Sequence, residues 1–169
     1  TGVENFIHGG MQENEFRAGT ENVAAIGGAG VAAEQAVAAL GQAAADAAKL
    51  QGRLLDGIRQ AFDGVHLNGP EPDDGRLPHQ LNLSTEGVEG EGQALMLDMQ
   101  GVAIAAGAAC TTRSMRLPPA LLAIGRAADL AKGTTLWGIG RDTTEAEIDR
   151  AVEAFAAVTA KLRALSPTE

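Results

Sequence analysis

Apolar and polar positions along this chain follow two rhythms. From Glu21 onward, Val37, Leu40, Ala44, Ala47, Leu54, Ile58 and Phe62 recur at the three-to-four spacing of one helical stripe. This predicts a long helix with a single buried face, and the glycines at 27, 28 and 30 mark where it could bend. GVHLNG (64–69) and HQLNLST (79–85) are short, bounded by Gly, Pro and Asp, and read as strands, with the polar turn PEPDDGRLP between them. EGQALMLDMQG (91–101) reads as an amphipathic helix and VAIAAG (102–107) as a strand that leads into the only cysteine. PPALLAIG begins another short helix with proline in its favoured first turn, and TTLWGIG (134–140) is the last strand. The final helix starts at Thr144, where Glu147 completes a capping box, and its stripe is Ile148, Val152, Phe155, Val158, Leu162 and Leu165. The opening stretch has no steady period, and Gly9, Gly10 and Gly19 punctuate it as a strand end and an ordered loop. Strands and helices alternate without a linker or repeat, so one α/β unit is expected.

Composition narrows the function classes. A chain of 169 residues with 45% apolar content supports one packed domain. A net charge of −9 without clustered Lys and Arg speaks against nucleic acid and against an anionic membrane. No apolar run is expected to approach the roughly 20 residues that cross a bilayer, and no signal peptide is expected. A single cysteine excludes an intrachain disulfide framework, which makes a reducing cytoplasm the simplest compartment. Aromatic residues are 3% and tyrosine is absent, which disfavours base stacking and leaves the fold dependent on close packing around small side chains.

The chemistry centres on Cys110. It follows a strand end and precedes Thr111, Thr112, Arg113 and Ser114, a polar setting in which Arg113 would favour the thiolate. These features alone leave a reactive and a quiet thiol equally open. His8, His66 and His79 lack metal-ligand spacing and are expected at strand ends, so no metal is expected. Trp137 fits the core or a site wall, Glu86, Glu89 and Glu91 fit a solvated turn and helix start, and GGAG near 27 lies inside a helical pattern and so is no dinucleotide fingerprint.

The order strand, small-residue loop, single Cys, hydroxyl residues, Pro-started helix and then GR-TTEAEIDRAVEAF resembles the C-terminal part of the cysteine desulfurases, pyridoxal-phosphate enzymes of the class V aminotransferase group. HGGMQENEFRAGTENV looks like that family's His-Gly-Gly-Gly-Gln-Glu-x-x-x-Arg-x-Gly-Thr-x-Asn segment, and RLPHQLNLSTEGVEGEGQALMLD is similar to the strand and helix that follow. The resemblance implies an α/β fold: the small C-terminal domain of a fold-type I pyridoxal-phosphate enzyme, a short sheet flanked by helices, preceded by a segment of the large domain. Residues 1–36 would be the large-domain or interface segment with the start of the long helix, and 37–169 the small domain. It further implies that the Cys110 thiolate takes sulfur from substrate cysteine as a persulfide, leaving alanine, and hands it to a sulfur-acceptor protein, as in iron–sulfur cluster assembly. Thr20 would reach a cofactor phosphate across a dimer interface.

Two departures from the family pattern bear on these implications. The family's N-terminal half, with its Schiff-base lysine, has no counterpart here, and Lys49, Lys132 and Lys161 all fall in helices or at a helix end. The chain alone is therefore expected neither to hold pyridoxal phosphate nor to turn over cysteine, and a lysine-bearing half or second subunit is the expected partner. Leu136 in TLWGIGR stands where the family's carboxylate-clamping arginine would be. Arg141 matches the motif's second arginine, Arg113 is the candidate for the missing charge, and Asn14 and Glu15 replace the family's Arg-Gly. Rival readings are a non-catalytic or regulatory partner of another desulfurase, and a related enzyme with an altered substrate.

Overall fold

Asn22 opens the longest helix: its side-chain oxygen accepts the Ala25 amide at 3.0 Å, satisfying one of the free donors of the first turn. In the computed structural model residues 2, 4–72, 75–107 and 117–165 are described. That helix, α1 (Val23–Ala61), is followed by β1 (Val65–Leu67), β2 (Gln80–Thr85), α2 (Gly90–Asp98), β3 (Ala105–Ala106), α3 (Pro119–Ala123), α4 (Ala128–Lys132), β4 (Thr134–Gly138) and α5 (Glu145–Leu165). The chain groups into two compact units, Thr1–Gly41 and Gln42–Glu169.

In the first unit a turn at Gln12–Glu15 precedes α1, and Phe6, Met11 and Phe16 are exposed. The helix runs through Gly27, Gly28 and Gly30 as one element. The single buried face expected of it holds only from Leu50 onward. Val37 and Leu40 are 75% and 68% exposed, whereas Leu54 and Ile58 are 2% and 0%. The reason is that the core is assembled by the second unit, which begins at Gln42. Over a window that tolerates Glu34 and Gln35, α1 is also long and apolar enough to cross a membrane, which corrects the expectation that no such stretch exists.

The second unit holds one four-stranded sheet in the order β1-β2-β4-β3, every neighbour antiparallel. Leu67 stands opposite Leu83, Leu81 opposite Trp137, and Leu83 opposite Thr135. Opposite residues share a face, so these side chains form one apolar surface. The second half of α1 and helix α5 supply the rest of that core through Leu54, Leu55, Ile58, Ile148, Phe155 and Val158. Phe155 is 0% exposed and sits edge-on to Phe62 and Trp137, with ring centroids 6.3 and 6.0 Å apart. Trp137 is thus a core residue, and its ring N–H donates to Thr135 Oγ1 at 3.0 Å. The helices meet where Gly57 faces Val152: a Cβ at Gly57 would stand 2.8 Å from a Val152 methyl.

The capping box at the start of α5 is present, with the Glu147 amide donating to Thr144 Oγ1 at 3.3 Å and the Thr144 amide to Glu147 Oε2 at 2.7 Å. The strand expected over 102–107 is only two residues long. After Gly101, whose φ is +78°, the Val102 amide is drawn back to the Leu97 carbonyl at 3.0 Å, so pairing starts late. Helix α4 was not anticipated from the sequence.

Ion pairs tie α1 to α5. Arg53 forks onto Asp149 with both bonds at 2.7 Å, and Lys49 meets Glu145 at 2.5 Å. The hydrogen bond from Arg53 holds Asp149 below its ordinary carboxylate pKa, and the bond from Lys49 does the same for Glu145.

Two outcomes follow for stability. Phe155→Ala should cost about 3–5 kcal/mol by the loss of a fully buried ring, whereas Val37→Ala should stay within about 0.5 kcal/mol because its site is exposed; urea unfolding followed by Trp137 fluorescence measures both. Because Asp149 and Glu145 are depressed in the folded state, the unfolded chain binds more protons near pH 4. Their contribution is therefore complete above the ordinary values of 3.8 and 4.5 and is lost as pH falls below them. The urea midpoint should drop on acidification, and less steeply in Asp149→Asn.

Candidate functional site

The alternation that sends Leu81, Leu83 and Trp137 to the core sends the intervening residues to the opposite face of the sheet. That face carries His66, Asn82, Ser84, Thr134 and Leu136, with Asn68 just past the end of β1. Its polar members bond in series. Asn68, 5% exposed, donates from Nδ2 to Asn82 Oδ1 at 2.6 Å and to Ser84 Oγ at 2.9 Å. Ser84 Oγ lies 2.8 Å from Thr134 Oγ1, which donates to the Leu130 carbonyl of α4 at 3.4 Å. Two arginines reach the same asparagine: Arg126 donates from Nε to Asn68 Oδ1 at 2.6 Å and from Nη2 to the Leu67 carbonyl, and Arg76 donates from Nη2 to the Asn68 carbonyl. Gly69 next door has φ +85°, and a Cβ there would stand 3.2 Å from Arg76 Nη2, so glycine serves both the turn and the approach.

Leu136 sits on this face, half-buried, paired with Asn82 on one side and Ala105 on the other. Strand β3 ends at Ala106, and the Gly107 amide donates to the Thr134 carbonyl at 3.2 Å. Pro118 caps helix α3. Cys110 and Arg113 lie outside the described residues. In chain order they fall between β3 and α3.

Thr20 belongs to the first unit and is exposed, after a turn in which Glu13, Asn14 and Glu15 all take left-handed backbone angles. Side chains disfavour that conformation by about 1–2 kcal/mol per residue. The turn is held by Gln12, whose Oε1 accepts the Gly19 amide at 3.1 Å, and by Asn5, which donates to the Glu15 carbonyl. Asn14 tolerates that conformation better than most side chains, so the strain falls on Glu13 and Glu15, and Glu15 is where the family pattern has glycine.

His66 stands in the middle of β1 and not at a strand end, with Nε2 2.7 Å from Glu86 Oε1. Arg141 is exposed beside Asp142. Among the described residues no three His, Cys, Asp or Glu gather as a metal site.

The lysines decide what cofactor chemistry this chain can hold. A Schiff-base lysine works from a desolvated pocket. Lys49 is paired with Glu145, Lys132 is paired with Asp129 at 3.1 Å, and Lys161 is exposed on α5. The residues present do not fit a complete pyridoxal-phosphate pocket.

Against known proteins, residues 6–151 match the sequence profile of the class-V aminotransferases. The chain belongs to the class-V aminotransferase family. It is 38% identical over 165 residues to the cysteine desulfurase IscS of Clostridium botulinum, covering 98% of this chain and 42% of the relative. The corresponding protein of Vibrio cholerae is 41% identical, with 98% of this chain and 40% of that one covered. A solved NifS-like protein superposes with a TM-score of 0.77 at 28% identity over 94% of this chain and 39% of its own. A NifS-like protein from Rickettsia africae shares the fold, with a TM-score of 0.75 at 22% identity over 95% of this chain and 41% of its own. The chain thus spans about two fifths of the length of the relatives it matches.

Sequence reasoning missed Asn68, Arg76 and Arg126. Arg76 and Asn68 lie in stretches read as a turn and a strand end, and the signal that could have singled them out is the glycine between them, Gly69. Nothing in the sequence pairs Arg126 with a residue 58 positions earlier. Asn68→Ala would strand Arg126 Nε and Asn82 Oδ1 at half-buried positions, at a cost toward the low end of about 1–3 kcal/mol per orphaned group. Urea unfolding should show that loss in Asn68→Ala and a smaller one in Asn68→Asp, which keeps an acceptor for Arg126.

Proposed function

We propose that the chain is the C-terminal part, or small subunit, of a cysteine desulfurase-like enzyme, and that Cys110 carries the transferred sulfur. The observation that carries this reading is the 38–41% identity to cysteine desulfurases over 98% of the chain, cysteine loop included. In balance, cysteine and the Cys110 thiolate give alanine and a Cys110 persulfide. A sulfur–sulfur bond forms, the carbon–sulfur bond breaks with its electron pair left on carbon, and the substrate's thiol proton ends on that carbon. An acceptor protein then removes the outer sulfur. Arg113 keeps the thiol ionised for attack, and Thr20 contributes to the phosphate site of a neighbouring subunit.

Pyridoxal phosphate supplies the electron sink in this family when bound, and since the lysines here do not fit it, a lysine-bearing half or second subunit completes the enzyme. Val23, Ile26, Val31, Val37 and Leu40 of α1 are all exposed, and so many uncovered large apolar side chains on one helix support such a partner. Glu34 and Gln35 in the same stretch suit a protein surface better than a bilayer, where buried charge is costly. A cytoplasmic setting fits a protein whose thiol must stay reduced.

Leu136 favours a second reading, an enzyme of the same group with a changed substrate, because leucine cannot grip a carboxylate as a guanidinium fork does. One experiment addresses both readings. The chain is combined with the lysine-bearing half of a relative, given ³⁵S-cysteine, and scored for label on Cys110. Label that is lost in Cys110→Ser is expected, and absence of label in the unmodified pair at saturating cysteine argues for the changed substrate. In that case Leu136→Arg should raise labelling by about a hundredfold or more, the equivalent of supplying the partner of a buried charge.

A further inference from the structure

We propose that Asn82 binds the substrate: its Nδ2 donates to a carboxylate oxygen of cysteine, in the place where Leu136 offers nothing polar. This rests on the desulfurase reading above and goes beyond it by saying how a chain without the clamping arginine holds its substrate. Strand pairing sets the position. The Asn68 amide donates to the Asn82 carbonyl at 2.9 Å, and the Thr85 amide to the Gly133 carbonyl at 3.0 Å. Backbone bonding directions alternate along a strand, so Asn82 bonds toward β1 while Leu81 and Leu83 bond toward β4. Asn82 and Leu136 therefore face each other as a pair without backbone bonds between them, the kind whose side chains stand closest. Both are half-buried, and the edge strand beyond Leu136 adds only the exposed methyl of Ala105, so solvent reaches this row of the outer face.

The orientation of the Asn82 amide is set from two residues away. Arginine can only donate, so the Asn68 atom 2.6 Å from Arg126 Nε is its oxygen. Asn68 Nδ2 is then the donor to Asn82 at 2.6 Å and to Ser84 Oγ at 2.9 Å, which spends both of its hydrogens. The Asn82 atom that it meets must accept and is Oδ1, which leaves Nδ2 as the free end of that amide. Among the described residues no acceptor meets Asn82 Nδ2.

The bonds thus run head to tail from a guanidinium through two amides, and such a series polarises each member in the same direction. Its last member presents hydrogens and has its oxygen already engaged, which suits an oxyanion and not an ammonium group. Because Asn68 holds the amide before any ligand arrives, little ordering is left to offset binding. Leucine has no donor of its own, so the amide paired with it is what this row offers a carboxylate.

The test takes the reconstituted pair described above and measures Cys110 labelling against ³⁵S-cysteine concentration. Asn82→Asp keeps the oxygen that Asn68 bonds and replaces the donors by an acceptor; urea unfolding checks that it remains folded. Its KM for cysteine should rise about tenfold or more with the plateau of labelling retained, the loss of a hydrogen bond to a charged group. Inhibition by cysteamine, which is cysteine without its carboxylate, should be unchanged, whereas a merely structural role would weaken both. An unchanged KM, or an equal loss for cysteamine, would overturn the proposal and leave sulfur transfer standing. No label in the unmodified pair at saturating cysteine would set aside the desulfurase reading and the proposal with it. The chain alone gives a second readout, in ¹H–¹⁵N spectra of the side-chain amides. The Asn68 hydrogens should exchange slowly with water and those of Asn82 fast. Slow exchange at Asn82 would show its donors already engaged within the protein and would overturn the proposal with no activity measured.

Discussion

The burial of one face of the sheet by the second half of α1 and by α5 is the constraint from which the rest of the second unit follows. Side chains of a strand alternate between faces, so once Leu67, Leu81, Leu83 and Trp137 are committed to the core, Asn82, Ser84, Thr134 and Leu136 have no choice of side. A slip of one residue would bury the polar set and expose the leucines. Phe155 packs edge-on against Trp137 and Phe62, a contact that only the register turning Trp137 inward provides. The chemistry of the outer face is thus specified by the packing of the inner one.

Gly90 and Gly133 show how closely the rest must fit. A Cβ at either would come within 2.2 Å of a carbonyl oxygen, that of Thr134 for Gly90 and that of Thr85 for Gly133. With few aromatic side chains available to fill space, the unit achieves density by bringing backbones together at small residues. This is the packing that the alanine- and glycine-rich composition implies.

Local signals were the legible part of the sequence. The capping box at Thr144 and Glu147, the turn glycines and the alternation in β2 act over a few residues, and each element they define is present. The cysteine and the segments that resemble a desulfurase were legible for the same reason, since a motif is local too. What could not be read was anything set by distant partners. The half-burial of Arg126 depends on Asn68, and the fate of the α1 stripe depends on which unit encloses it. Helix α4 offered only five residues, with no apolar period to detect.

The two halves of α1 put this dependence most sharply. Both have the same helical period, yet only the part from Leu50 onward is buried. Gly27, Gly28 and Gly30 lie in the exposed part, and a Cβ added at any of them would meet nothing within 4 Å. A glycine inside a helix costs about 1 kcal/mol relative to alanine, and nothing among the described residues repays it. Alanine at its neighbours offsets the cost enough for the helix to persist. The cost itself, set beside the exposed valines, isoleucine and leucine of the same stretch, is what a helix would show if another backbone were meant to approach it closely. That accords with a chain that spans two fifths of its relatives' length and lacks a lysine fit for the family's cofactor. On the function proposed above, a lysine-bearing partner would supply that chemistry and cover this surface.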